Sequence, residues 1–537
     1  MQCSSRTKLF LILSFLCLVS ASVPAQYVQQ IGLDIFQATT TNLNGSGITV
    51  GQPEADDSGG ASNPPEYEVS PTAISQYSGL ITYISSNGAM TAFPNSLGYE
   101  SSHADTVAAN FYGMPSGVAT NVAHVYNYEG NYYIDHLVGN NLDTYNESVV
   151  NQSFTFGALT ISGQEGADSE YDNYEETHHM LFISAVGPGA PDPPYAPGTA
   201  YNCISVGGYQ NGQNYSDIGP TIDNGRCKPD ISGYSAATSF STPLVAGAAA
   251  VLMQAALRRD GGTDTNSAFN NRTIKALLLN GAVKPADWTN SALFPLDARY
   301  GAGVVNVFNS YRLLAAGKHG SVISNEVSSG SAHPPPATTT NIGTLCGWDF
   351  NTNNSSSSPA SDAIYHYYFN VSNQLAGVQY VATATLVWNR HKNQSAINNL
   401  DLFLYNCANS NLVACSTSLV NNVEHIYLTN LSQGRYDLQV WKLGTNGIVS
   451  TAEPYALAWQ FVPEDRVYLR RSGANANAVL TWPLFPAGFL VQATTSLTTP
   501  TWTNIDLSSL IFTNNTNSLT FPAVNGSQFF RLSYPNL

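Results

Sequence analysis

The chain has 537 residues, 43% of them hydrophobic and only 10% charged, with a formal net charge of −16. That length suggests roughly two to four domains with sizeable cores, and the acidic balance excludes a protein held to nucleic acid or to anionic membranes by charge. Little charge beside abundant Asn, Ser, Thr, Gly and Tyr fits β-rich, loop-rich extracytoplasmic proteins better than charged helical ones.

The first stretch, MQCSSRTKLFLILSFLCLVSASVPA, sets Arg6 and Lys8 before an apolar run from Leu9 to Val19, and Val23-Pro24-Ala25 fits a cleavage site before Gln26. Residues 1–25 are therefore expected to be a secretory signal peptide, too short for a comfortable membrane span. No later segment is expected to be apolar enough to cross a bilayer, and the remainder is expected to be secreted or otherwise extracytoplasmic. Five cysteines follow the leader: Cys203, Cys227, Cys346, Cys407 and Cys415. An exported chain can keep disulfides, so Cys203–Cys227 and Cys407–Cys415 are the plausible local pairs, with free buried thiols as the alternative and Cys346 left over. No CxxC or His-rich spacing points to zinc.

From residue 26 to about 318, short apolar runs alternate with helix-like segments. ITV (48–50), SVVNQSF (148–154), MLFISAV (180–186) and CISVGGY (203–209) have the look of buried strands. Residues 103–113, 239–259, 272–282 and 304–317 have that of helices. This alternation predicts an α/β domain over 26–318 with a parallel sheet flanked by helices, and functional residues in loops at the carboxyl ends of the strands. After 319 come loop-like stretches, SSGSAHPPPATTT and NTNNSSSSPASDA, then short alternating runs such as VATATLVW, LDLFLY and YALAWQF. These predict an all-β sandwich over 319–462 and a third, small β module over 463–537.

One segment carries chemistry: Ala237-Thr238-Ser239-Phe240-Ser241-Thr242-Pro243, followed by LVAGAAAVLMQAAL. Ser239 opens a long helix of small residues, and Pro243 falls in its first turn, where a missing N–H costs little. Free N–H groups and the helix dipole favour negative charge developing beside that serine. By itself a serine before a helix is most simply an N-cap.

The segment resembles the serine motif of the subtilisin-like serine proteases, the subtilases, which reads Gly-Thr-Ser-x-Ala-x-Pro-x-Val-Ala-Gly. Thr238, Ser239, Pro243, Val245, Ala246 and Gly247 match, while Ala237 and Ser241 depart from it. Ser102-His103-Ala104-Asp105-Thr106-Val107-Ala108 resembles the family's His-Gly-Thr-His-Val-Ala-Gly, with His103 at the catalytic position. Setting Gly45-Ser46-Gly47-Ile48-Thr49-Val50-Gly51-Gln52-Pro53-Glu54 against the acid motif places Glu54 at the acid position. Asp57 is its rival, because Asp57-Ser58-Gly59 imitates the family's Asp-Ser/Thr-Gly three residues late, and Asp56 is expected to be solvated. Gln152-Ser153-Phe154 resembles the strand edge that pairs with substrate, Lys228-Pro229-Asp230-Ile231 the segment before the nucleophile loop, and Tyr300-Gly301-Ala302-Gly303 the end of the catalytic domain.

The resemblance implies acyl transfer through a Glu54–His103–Ser239 triad on a peptide or protein substrate, which Ser153 and Phe154 help to bind. It also implies an oxyanion-hole Asn in the loop after a buried strand, where this chain has Gly187-Pro188. Proline has no side-chain donor, and one lost donor costs about 10²–10³ in turnover. The alternative is a catalytically impaired subtilase-fold protein that binds peptides, polymers or surfaces. Only about 20 residues separate the cleavage site from the first matching strand, by the signal-peptide rule, so the usual folded N-terminal prodomain is not expected. No cofactor is implied, and structural calcium is conceivable through Asp56, Asp57, Asp217 and Asp223 without a regular ligand spacing. His178-His179, after Glu175 and Glu176, are expected in a solvated loop. The sandwich is expected to pack on and stabilise the catalytic domain or to bind a polymer or surface, and the last module to serve as an attachment or spacer.

Overall fold

The computed structural model describes residues 26–537 except 143–144, 188, 190–191, 356–360, 373–377, 445–449, 465–467, 473–476, 484–489, 508–510, 514–515, 523–527 and 534–537. The expected leader, residues 1–25, lies outside the described residues.

The first half builds around seven parallel strands: β1 Thr49–Glu54, β2 Ile81–Ile84, β3 His124–Glu129, β4 Val149–Gln152, β5 Leu181–Ala185, β6 Ile204–Gln210 and β7 Ile231–Tyr234. Their order across the sheet is β7-β6-β5-β4-β1-β3-β2, all parallel. Short antiparallel strands, Met90–Thr91 and Gln213–Asn214, flank β2 and β6. From β1 the chain crosses to β2 on one side, comes back to place β3 between them, then fills the other side outward from β4 to β7. The crevice at the carboxyl end of β1, where that order reverses, is where ligands bind in open sheets of this kind.

Five helices matter to the site and its support: α1 Ser102–Phe111, α2 Ile161–His178, α3 Thr238–Leu257, α4 Asn271–Gly281 and α5 Val307–Ala315. α3 is apolar on every side, as a helix enclosed on all sides must be. Leu244, Val245, Ala248, Val251 and Leu252 are fully buried in the main core together with Val50, Val149, Ile183 and Ile204. Against expectation, α3 is long and apolar enough to cross a membrane, yet 83% of that stretch is buried within the fold. α2 was not expected from the sequence. Its buried face carries Gln164, Asp168, Tyr171, Asp172, Tyr174 and Glu175 rather than an aliphatic stripe, so the usual apolar periodicity is missing. His178 and His179 are accordingly no open loop: the His178 ring lies 4.3 Å from that of Tyr174, and His179 caps the helix in the left-handed region at φ 54°.

The paired strands of the second half, among the described residues, are antiparallel. β8 Ile323–Ser328, β9 Cys346–Asn354, β10 Ser361–Val371, β11 Tyr380–Trp388, β12 Leu400–Asn406, β13 Leu412–Ser416, β14 Val423–Leu431, β15 Gly434–Lys442 and β16 Ala452–Pro463 form two sheets, β8-β10-β15-β12-β13 and β9-β16-β11-β14. Leu400, Leu402 and Leu404 point inward at the strand period of two to meet Tyr367, Leu438 and Trp459 between the sheets. The outer face of the second sheet continues the α/β core: Trp348, Val387, Val423 and Ala458 belong to the same apolar cluster as α3. Residues 468–533 add two small sheets around Leu480, Trp482, Val491 and Leu519.

Polar contacts stitch the seam between the halves. Asp172 on α2 pairs with Arg390 Nε at 2.7 Å, Asn202 Oδ1 accepts from Arg390 N at 2.8 Å, and Asn421 Oδ1 accepts from Cys227 N at 2.7 Å. Asn422 Nδ2 donates to Tyr201 O at 2.8 Å, and Thr385 Oγ1 to Asn280 Oδ1 at 2.9 Å.

The expected disulfides do not form: all five cysteines are free. In the β12–β13 hairpin Cys415 stands opposite Phe403, while Cys407 lies past the end of β12. Cys203 Sγ is engaged by the carbonyls of Pro197, Gly198 and Ala200, and Cys227 Sγ by the amide of Asn421. Burial raises the Cys203 pKa to about 12.

Candidate active site

Three elements converge at the carboxyl end of β1. Glu54 is the last residue of that strand, level with Glu129 on β3. His103 stands in the first turn of α1, whose N-terminus is capped by Ser101, its Oγ accepting from Ala104 N at 3.1 Å. Because Ser101 does the capping, the imidazole is free to turn toward the sheet. Ser239 is in the first turn of α3, behind Ala237, which offers no side-chain cap.

Glu54 Oε2 lies 3.0 Å from His103 Nδ1. The carboxylate is 1% exposed and the imidazole 28%. Burial lowers the basicity of His103, but the hydrogen bond and charge of Glu54, with the charge of Asp57, outweigh it and hold the ring above its ordinary pKa. The His103 ring also packs 5.7 Å from that of Phe240, the neighbour of Ser239. Ser239 Oγ donates to Ser153 O at 3.2 Å, and Ser153 Oγ donates in return to Ser239 O at 2.8 Å. The hydroxyl is thus turned to the end of β4, an arrangement compatible with an unliganded site, where catalytic hydrogen bonds are often loose. Asn110 Nδ2, from the last turn of α1, reaches Phe240 O at 3.3 Å and ties the carboxyl end of α1 to the first turn of α3.

The rival acids do other work. Asp57 Oδ2 accepts from Ser101 Oγ at 3.1 Å and from the main-chain N of His103 at 3.4 Å, so it steadies the start of α1 rather than the ring. Asp56 is no solvated bystander. It accepts from Ser58 N, Ser58 Oγ, Gly60 N and Glu66 N and folds its own turn. Of the expected substrate-binding residues, Ser153 is 4% exposed and committed to Ser239, while Phe154 stacks on Phe156 with centroids 6.4 Å apart. No group of three or more His, Cys, Asp or Glu placed to hold a metal occurs among the described residues.

Pro188 lies outside the described residues, but both of its neighbours are placed. Gly187 has φ 116°, and its carbonyl accepts from Asp217 N at 3.1 Å. Gly189 N donates to Asp217 Oδ1 at 2.8 Å. Asp217 Oδ2 is buried without a hydrogen-bond partner among the described residues, and a Cβ on Gly187 would overlap it. Burial, opposed by the Gly189 N–H and helped by the charge of Asp192, pushes the Asp217 carboxyl up to about 6. Gly187→Ala is expected to cost about 1–3 kcal/mol through backbone strain and this collision, measured as a fall in the urea midpoint. A raised carboxyl binds its proton more readily in the folded state. Asp217 therefore favours folding below about pH 4, and that contribution fades as pH rises through 6.

Residues 77–303 match the family model described as "Subtilase family". Over that span the α/β region is similar to the subtilases. His103 and Ser239 fall inside the matched span, and Glu54 precedes it. Similar solved structures include the prenylagaramide maturation protease PagA, at 20% identity over 52% of this chain and 98% of that one, with a TM-score of 0.36. The patellamide maturation protease PatA shows 19% identity over 51% and 98%, TM-score 0.33, and tripeptidyl peptidase 2 shows 11% over 77% and 44%, TM-score 0.31. No curated protein matches the chain. The subtilase fold accounts for the mostly parallel sheet with its flanking helices; the antiparallel sheets follow it along the chain.

Sequence reasoning did not single out Gln52, Tyr112 or Asn110, and it named Asp217 only as a conceivable calcium ligand. For Gln52 a signal existed: it stands two residues before Glu54, on the same face of one strand.

Proposed function

We propose that the protein is an exported serine endopeptidase that cleaves peptide bonds through an acyl-enzyme on Ser239. The observation that carries this is the Glu54–His103 pair at 3.0 Å, whose imidazole packs 5.7 Å from the ring of Phe240, the neighbour of the serine at the start of α3. Ser239 Oγ attacks the scissile carbonyl as His103 Nε2 takes its proton. His103 returns that proton to the leaving amine, and a water repeats the sequence to free the acid. Glu54 keeps the Nδ1 proton in place and stabilises the imidazolium. The N–H of Ser239, in a first turn that lacks intrahelical acceptors, faces the developing oxyanion. With Pro188 where a side-chain donor is expected, turnover is slow relative to an enzyme with that donor.

A second reading, a subtilase fold that binds peptides without cleaving them, draws on the engagement of the Ser239 hydroxyl by Ser153 O. A fluorophosphonate probe separates the two. The protease labels at Ser239, and Ser239→Ala abolishes the label. Well-folded parent protein that stays unlabelled would overturn the protease reading.

A further inference from the structure

A buried carboxylate has two oxygens to satisfy. In Glu54, Oε2 faces His103, and Oε1 accepts from Gln52 Nε2 at 2.8 Å. Gln52 Nε2 also donates to Ala104 O at 3.1 Å, and Gln52 Oε1 accepts from Tyr112 OH at 2.6 Å. Gln52 and Tyr112 are both fully buried. The amide can stand only one way round, since turning it over would set its oxygen against Glu54 Oε1 and the Ala104 carbonyl. Tyr112 must then be the donor at the far end. Its burial, with the charges of Tyr83, Glu54 and Asp105, keeps the phenol protonated.

The path also has a mechanical logic. Tyr112 is the C-cap residue of α1, Ala104 lies in its first turn, and His103 is next to Ala104. Gln52 thus grips α1 at both ends from β1 while holding the carboxylate that faces the imidazole.

We propose that Gln52 and Tyr112 form a positioning relay that fixes the Glu54 carboxylate against His103, and that this relay lets a glutamate, one methylene longer than aspartate, serve at the end of β1. The proposal rests on the triad reading above. Two donors on separate oxygens lock the last torsion of the longer side chain, which otherwise rotates broadly. The groups facing His103 are Glu54 from β1 and Asp57 from the following turn, so a loosened Glu54 leaves the ring with only the weaker, second charge.

The test uses Gln52→Leu, close in size and without donors, and Tyr112→Phe, which removes only the terminal hydroxyl. Gln52→Leu is expected to lower kcat by roughly 10–100-fold, the scale of a catalytic group about 1 Å out of place. KM stays unchanged, and the acid limb of the kcat/KM profile moves to lower pH as His103 loses its partner. The downfield NMR signal of the His103 Nδ1 proton broadens or disappears. Tyr112→Phe shifts the same readouts in the same direction by about 2–10-fold, the worth of one neutral hydrogen bond; it decides the matter if Gln52→Leu fails to fold. A folded variant whose acid limb and Nδ1 signal stay where they are in the parent overturns the relay, even if kcat falls. A parent inert to the phosphonate sinks the protease reading instead, and the Nδ1 signal alone then decides for or against the relay.

Discussion

Glu54→Gln is expected to lower kcat by about 10⁴, the scale seen when a triad acid becomes its amide, with KM little changed. The side chain keeps its size, so the loss comes from charge and hydrogen-bond polarity. To accept from His103 Nδ1, the new amide must present its oxygen there and its NH₂ toward Gln52 Nε2, donor against donor. Gln52 relieves that only by turning over, which surrenders its bond to Ala104 O. The imidazolium formed during attack also loses its counter-charge. Because Glu54 holds the His103 pKa up against burial, the residual activity should keep its acid limb at lower pH than the parent. Asp57→Asn is the control. Its carboxylate touches the start of α1 and not the ring, so kcat should stay within about tenfold, on the scale of a partly exposed charge near the site. Steady-state kinetics across pH on both variants checks this, and a larger loss in Asp57→Asn than in Glu54→Gln would move the acid role to Asp57.

Arg226→Met is expected to destabilise the fold by about 3–5 kcal/mol, the usual cost of removing one partner from buried ion pairs. Arg226 is 1% exposed. Its Nη2 reaches Asp168 at 2.8 Å and Asp223 at 2.7 Å, its Nη1 donates to Thr199 O, and its guanidinium lies 4.0 Å from the Tyr201 ring centroid. Without it two carboxylates remain buried with no cation. The sign with pH follows from Asp223: burial raises its pKa, but Arg226 and its hydrogen bonds bring it below the ordinary carboxylate value. Its share of stability is therefore present above about pH 4 and lost as pH falls through its folded value. Urea unfolding at pH 7 and pH 3 should show a large difference between parent and variant at the higher pH and a smaller one at the lower. A difference under about 1 kcal/mol at pH 7 would mean that the carboxylates find water or protons cheaply.

How much of this was legible in the sequence depends on where each residue gets its role. Strands β1, β4, β5 and β6 and helix α3 were visible, because their apolar runs are local facts of the chain. Helix α2 was not, because Asp168, Asp172 and Glu175 face inward toward Arg226, Arg390 and Asn271, partners that lie far along the chain. Glu54 could be chosen over Asp57 by strand register alone; what the sequence hid is that Asp57, three residues on in a turn, bonds Ser101 and the main chain of His103. The disulfide expectation failed for a related reason: Cys407 and Cys415 are near in sequence, but the hairpin register sets Cys415 against Phe403. The surroundings of Gly187 and Gly189 stayed opaque because their partner, Asp217, arrives from beyond β6.

The seam between the halves has a consequence for timing. Asn202 bonds Arg390, 188 residues further along the chain, and Asp172 waits for the same arginine. Synthesis delivers the subtilase region first, with those polar groups still facing solvent and the apolar face beneath Trp348 and Ala458 uncovered. Contacts of such sequence separation form late and slowly. The region bearing Ser239 is therefore expected to reach its final rigidity only after the sandwich has emerged, so the order of synthesis sets the order in which that region sets firm.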